Sequence, residues 1–162
     1  MTDSPVKGTS NWLTPGVVLV DINYQHEMVA ALVRGDKICT TRARRYGNPG
    51  DFLIFEHKAG RVQVIISMQL MSQMRTRHGL IAKHLYKQEG FESEDALIEF
   101  STDLKNAIRK RWKMPPAPFN PDKMVWLHWF GDGNIPPRII KKLKTPGYRL
   151  RLFTVQKKLE VI

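Results

Sequence analysis

Residues 47–70 confine the fold more tightly than any other stretch of the chain. Gly47-Asn48-Pro49-Gly50-Asp51 places two glycines and a proline in five positions, a composition that makes a turn and suits neither a helix nor the interior of a strand. Phe52-Leu53-Ile54-Phe55 follows as a short apolar strand, Lys58-Ala59-Gly60 as a second turn, and residues 62–70 as a long β-branched strand. A chain punctuated in this way builds a sheet whose strands are joined by turns.

The flanking sequence adds helices to that sheet. Residues 17–20 are an apolar β-branched run and predict a strand. Residues 24–34 predict a helix, with Met28, Ala31 and Leu32 on one face and Gly35 as its stop. Residues 38–43 predict the next strand and residues 79–88 another helix. A third helix, over 94–112, is expected after Ser93 as N-cap, with Glu94 and Asp95 in its first turn. Its apolar stripe of Leu97, Phe100, Leu104, Ile108 and Trp112 reads as core packing. Pro115, Pro116, Pro118 and Pro121 break the chain into an extended connector, expected to lie as a loop over the barrel mouth.

Residues 124–130 then read as an aromatic-rich strand, 131–134 as a turn, 138–144 as a short basic stretch and 149–155 as a closing strand. Strands with helices inserted between them predict an α+β fold, a mainly antiparallel barrel rather than a doubly wound parallel sheet. Residues 1–14 read as a loose tail and 15–162 as a single domain.

Charge narrows the partners. The chain carries 26 Lys and Arg against 15 Asp and Glu. Residues 1–100 hold 12 basic and 11 acidic side chains, whereas 101–162 hold 14 and 4. A half-molecule this basic attracts polyanions, because released counterions drive the association. The sole cysteine, Cys39, excludes an internal disulfide and fits a reducing compartment. The polar N-terminus lacks the apolar core of a signal peptide, and no apolar run approaches the ~20 residues of a membrane span. A cytoplasmic protein with no membrane partner is expected.

Gly35-Asp36-Lys37-Ile38-Cys39-Thr40-Thr41-Arg42 follows a helix, opens a strand and leads into the Gly47–Asp51 turn. Downstream, Gln88-Glu89-Gly90-Phe91 precedes Ser93 and Glu94. This order resembles the ASCH family, whose members show a helix, Gly-x-Lys, Thr-x-Arg on the next strand, a Gly-Asp turn and an apolar strand. The resemblance covers about residues 16–95. It implies a PUA-like barrel, a cleft between barrel and helices, and RNA or nucleoside ligands. It also implies a second possibility, because small bacterial members are amidohydrolases that act on N4-acetylcytidine through a Lys, a Thr and a Glu. Those positions fall on Lys37, Thr40 and Glu89. The chain is longer than those compact enzymes, by its tail, its long helix and its proline-rich connector.

The residues themselves allow both readings. A threonine hydroxyl becomes a nucleophile when a neighbour takes its proton, and a neutral lysine amine can do so if burial or a nearby cation such as Arg42 lowers its pKa, with Glu89 to orient the lysine or shuttle a proton. Strand alternation sets Thr40 and Arg42 on one face, Lys37 and Thr41 on the other; Lys37 meets Thr40 if it precedes the regular strand or sits at a bulge. The Thr-x-Arg spacing selects Thr40, and the competing register uses Thr41. Equally, a lysine just past a helix end, threonines on a strand and a surface glutamate are ordinary structural choices.

Arg42, Arg44 and Arg45 beside Tyr46 match phosphate and base chemistry, as do Arg138, Lys141, Lys142 and Lys144, with Arg149 and Arg151 extending that surface. Trp126 and Trp129 have opposite strand parity, so one is expected in the core and the other available to stack a base. His26, His57, His78, His84 and His128 show no i, i+4 pairing, so neither metal nor cofactor is expected. An RNA-binding module, an amidohydrolase and, less directly, a ribonuclease follow as function classes.

Overall fold

The computed structural model describes residues 16–21 and 26–153. The expected tail over 1–14, the first two residues of the predicted first helix and the end of the closing strand beyond 153 lie outside these. The elements run β1 (Val17–Asp21), α1 (His26–Arg34), β2 (Cys39–Arg42), β3 (Phe52–Ala59), β4 (Val62–Gln69), β5 (Ser72–Arg77), α2 (His78–Leu85), α3 (Glu94–Arg111), β6 (Met124–Trp129), α4 (Pro137–Leu143) and β7 (Arg149–Leu152). No described helix is long and apolar enough to cross a membrane.

The fold is α+β, with two mostly antiparallel sheets that do not close into the single barrel expected from the sequence. The first sheet has the order β1-β3-β4, with β1 parallel to β3; the second has the order β2-β6-β5-β7 and is antiparallel throughout. The backbone explains the separation. Leu70 N–H bonds to the Asp51 carbonyl beside the first sheet, and Met71 N–H bonds to the Trp129 carbonyl of the second. The chain therefore changes partners between β4 and β5.

The 47–51 turn has a double purpose. Asp51 is buried, and its carboxylate accepts from Gly16 N–H at 2.9 Å and from Asn48 N–H at 2.8 Å, which fixes the turn and the entry to β1. Gly50 has φ +100°, and a Cβ there would meet the Phe153 ring at 2.9 Å, so both conformation and space demand glycine.

Each sheet buries one face against helices. Leu53, Phe55, Leu70 and Phe130 pack with Met28, Val29 and Leu32 of α1. Cys39, Met74, Leu127 and Trp129 pack with Ile81 and Leu85 of α2 and with Ile139 and Leu143 of α4. The expected core stripe of α3 departs from this pattern. Leu97 is buried, but Leu104 is 42% exposed, Ile108 45% and Trp112 75%. The outer part of α3 projects away from both cores, and the proline-rich connector runs back along it. Lys105 Nζ donates to the Pro118 carbonyl, Arg109 Nε to the Pro115 carbonyl at 2.7 Å, and Ala117 N–H to Asn106 Oδ1 at 2.9 Å. Helix and connector form one arm rather than a loop laid over a barrel mouth.

Candidate functional site

The end of α1 delivers Lys37 to its place. Gly35, at φ +82°, takes the left-handed turn that stops the helix, and Lys37 N–H returns to the Ala31 carbonyl at 3.1 Å. Lys37 then pairs with Glu89 in an isolated antiparallel bridge, and Ile38 N–H bonds to the Gln88 carbonyl at 2.8 Å. The two sequence motifs, 52 residues apart, thus meet as neighbours. Gly90 permits the approach, because a Cβ there would lie 3.3 Å from the Ala31 Cβ and 3.4 Å from the Lys37 Cβ.

Lys37 Nζ donates to Glu89 Oε1 and to the Glu89 carbonyl, each at 3.0 Å. The Thr41 hydroxyl donates to the other carboxylate oxygen, Oε2. Lysine and glutamate side chains are 3% and 6% exposed, so each charge has been stripped of most of its water and depends on the other. Lys37 precedes β2 in the chain, yet the lysine and Thr41 stay on the Glu89 side, with Cys39 between them. Burial, and next the negative charge of Glu89, push the Cys39 thiol well above its ordinary pKa; Lys37 opposes the shift. Cys39 is an inert core residue. Thr40, 4% exposed, lines the same cavity, but the threonine that engages Glu89 is Thr41. Strand alternation explains the choice.

This trio forms the floor of a cavity of about 550 Å³, the size of a small-molecule site. One wall is the edge strand β2 with Arg42 and Ala43. Phe91, Leu97, Phe100, Leu104 and Ile108 make the opposite, apolar wall, and His78, Phe119 and Asn120 close one side. Lys105, Arg109 and Lys123 are the cations of the α3 arm and connector that line it. His78 packs against Phe119 with ring centroids 4.8 Å apart. Its pKa is lowered, chiefly by burial, against the opposing charge of Glu89, with Lys123 and Lys105 adding to the lowering, so it stays neutral at neutral pH.

His78 and the α3 side chains were absent from the sequence-predicted site. The signal for α3 lay in its stripe, which is flanked at i, i+4 by Lys105 and Arg109; a cationic edge on an apolar stripe suits a ligand wall as well as a core. His78 had no motif to mark it.

The remaining predicted binding residues separate into three places. Arg42 lines the cavity, and Arg44 is exposed beside it in sequence. Arg45 and Tyr46 serve the fold. Arg45 is buried, donates to the Gly47 carbonyl at 3.0 Å and Asn48 Oδ1 at 2.8 Å, and lies 5.9 Å over the Trp126 ring. Tyr46 N–H donates to His128 Nε2 at 3.0 Å. Trp126 and Trp129 do point to opposite faces, yet each is 4% exposed, so neither stacks a base from solvent. Among the described residues, the exposed tryptophan is Trp112. Arg138, Lys141, Lys142 and Lys144 are exposed on and just after α4, and none of them lines the cavity.

No protein-family model, curated protein or solved structure matches the chain.

Proposed function

We propose that the chain is a nucleoside- or RNA-binding domain of the PUA-like ASCH type, with one base held in the cavity between β2 and α3. The observation that carries this reading is the cavity's composition. It has aromatic and aliphatic walls for a flat ring, hydrogen-bonding groups of both senses on its floor, and Lys105, Arg109 and Lys123 for phosphate. The ASCH likeness gains support from the meeting of its two motifs as Lys37 and Glu89. Calorimetric titration with cytidine, uridine, adenosine and guanosine tests the reading. At least one nucleoside is expected to bind, and Ser101→Trp, which fills the cavity from α3, is expected to abolish binding while the melting temperature holds. Equal binding by the variant, or no binding of any nucleoside or oligoribonucleotide by the wild type, removes the proposal.

A specific observation favours a second reading, the amidohydrolase. A threonine hydroxyl aimed at a buried carboxylate is a nucleophile in contact with its base. The Thr41 oxygen would attack the acyl carbon of N4-acetylcytidine while its proton passes to Glu89 and on to the departing cytidine nitrogen. Water would then hydrolyse the threonyl ester to acetate. Lys37 holds the carboxylate in place and balances its charge. Chromatography of N4-acetylcytidine incubated with the protein tests this. Cytidine release that survives both Thr41→Val and Thr40→Val, or no release by the wild type, excludes it.

A further inference from the structure

One end of the cavity is assembled where the second sheet opens into the connector. Arg77 and Met124 are ladder partners, and His78 N–H continues the pairing to the Lys123 carbonyl at 2.9 Å, so His78 and Lys123 stand opposite each other. Residues directly opposite in an antiparallel ladder share a face, and both of these side chains line the cavity. The connector adds Phe119, whose ring packs on the His78 imidazole with centroids 4.8 Å apart. One residue earlier, the Pro118 carbonyl accepts from Lys105 Nζ, which draws a cation of α3 to the same end. Arg109 follows four residues later on α3, about 6 Å along the helix axis.

Lys105, Arg109 and Lys123 bring three positive charges there, and no salt bridge among the described residues meets any of them. The bonds that hold Lys105 and Arg109 end on the neutral carbonyls of Pro118 and Pro115, which fix the side chains and leave their charge. Among the described residues, Glu89 is the only carboxylate that lines the cavity, and Lys37 and Thr41 already hold its two oxygens. Burial lowers the His78 pKa, Glu89 opposes the shift, and Lys123 and Lys105 add to it, so both ammonium groups lie within electrostatic reach of one imidazole. No hydrogen bond to another described residue occupies that ring, which leaves its N–H for an acceptor. An internal phosphodiester carries one negative charge, whereas a terminal phosphate carries about two near neutral pH. Three cations and an N–H donor gathered at one end match the terminal phosphate.

We propose that the ligand of this cavity is a nucleoside monophosphate, its base against the apolar wall and its terminal phosphate held by Lys105, Lys123 and the His78 N–H, with Arg109 one turn beyond. The inference rests on the base-binding reading and narrows its ligand from a nucleoside or an RNA strand to a phosphomonoester. Hydrogen bonds from a cation to an ionised phosphate are about twice as strong as neutral ones, so the phosphate adds affinity that a bare nucleoside lacks.

Calorimetric titration tests it by comparing each ribonucleoside with its 5′- and 3′-monophosphates, with inorganic phosphate and with a hydroxyl-ended oligoribonucleotide, whose phosphates are all diesters. For the base that binds, one of the two monophosphates should bind at least about tenfold tighter than the nucleoside, the effect of a single hydrogen bond to a charged group. Lys123 is exposed, so Lys123→Gln should fold normally and lower that ratio of affinities by about tenfold. Lys105→Gln should do the same, and His78→Phe, which keeps a ring against Phe119, should lower the ratio by a smaller factor. Lys110→Gln, exposed on α3 and outside the cavity lining, should leave the ratio as it is. A nucleoside that binds as tightly as its monophosphates, a ratio unchanged in both lysine variants, or an oligoribonucleotide that binds tighter than every monophosphate overturns the inference and leaves base binding in place. Inorganic phosphate bound as tightly as the monophosphates, or no binding of any nucleoside or nucleotide, overturns the base-binding reading beneath it.

Discussion

Breaking the Lys37–Glu89 pair tests how the cavity floor is held. The two groups are 3.0 Å apart with side chains 3% and 6% exposed. Removing one partner leaves the other charge buried, at a cost of about 3–5 kcal/mol. For a domain of this length each kcal/mol moves the midpoint by about 2–4 °C, so Lys37→Met or Glu89→Leu should each lower it by about 10 °C. Glu89→Gln keeps an acceptor for the ammonium and should fall at the lower end. The double variant Lys37→Met/Glu89→Leu removes both charges together. What then remains is chiefly the Thr41 hydroxyl without its acceptor, a cost of about 1–2 kcal/mol. The double should accordingly melt well above either single. Circular-dichroism melts and urea titrations of the four proteins close the cycle. Single variants within about 2 °C of wild type, or a double equal to the sum of the singles, would refute a coupled buried pair.

Other consequences are as direct. Burial, and then the charge of Arg42, lower the His128 pKa to about 3, against the smaller opposing effect of the Thr40 and Trp126 backbone. The unfolded chain therefore takes up a proton that the folded chain refuses. Stability is lost as pH falls below about 6.5, by about 2 kcal/mol at pH 5, and urea titrations should show His128→Asn losing that part of the slope. Gly79→Ala places a Cβ 2.6 Å from the Pro121 Cβ and 3.0 Å from its backbone, so overpacking should destabilise by about 1–3 kcal/mol in the same titrations. If N4-acetylcytidine is hydrolysed, Thr41→Val should abolish turnover and Thr40→Val should reduce it less, because Thr41 is the hydroxyl bonded to Glu89.

The sequence was legible where apolar residues recur with a clear period. The helix over 26–34 and the strands of the 52–69 region follow the pattern closely. β5 escaped because Ser72-Gln73-Met74-Arg75-Thr76-Arg77 has a single apolar residue; its buried polar groups face α4 or the 43–51 loop, where Gln73 Nε2 bonds the Tyr46 carbonyl at 2.9 Å. α4 read as a basic stretch after two prolines, yet Pro137 is its first residue, the position where the missing N–H costs nothing. The site was legible as a set of residue types. Its threonine was not, because motif spacing points to Thr40 while the side of the strand facing Glu89 holds Thr41.

The cavity wall belongs to a single excursion from the second sheet. Arg77 and Met124, which bound it, are direct ladder partners, and the pairing extends inward through His78 N–H to the Lys123 carbonyl and Gly79 N–H to the Pro121 carbonyl, each at 2.9 Å. Everything between leaves and returns at one point: α2, Glu89, α3 and the connector. Closure entropy grows only as the logarithm of length, so doubling such an excursion costs about 0.6 kcal/mol. A shorter or longer arm beyond α2 can therefore be exchanged without moving a strand, which makes the apolar wall of the cavity a property of one replaceable segment and the sheet beneath it a property of the frame.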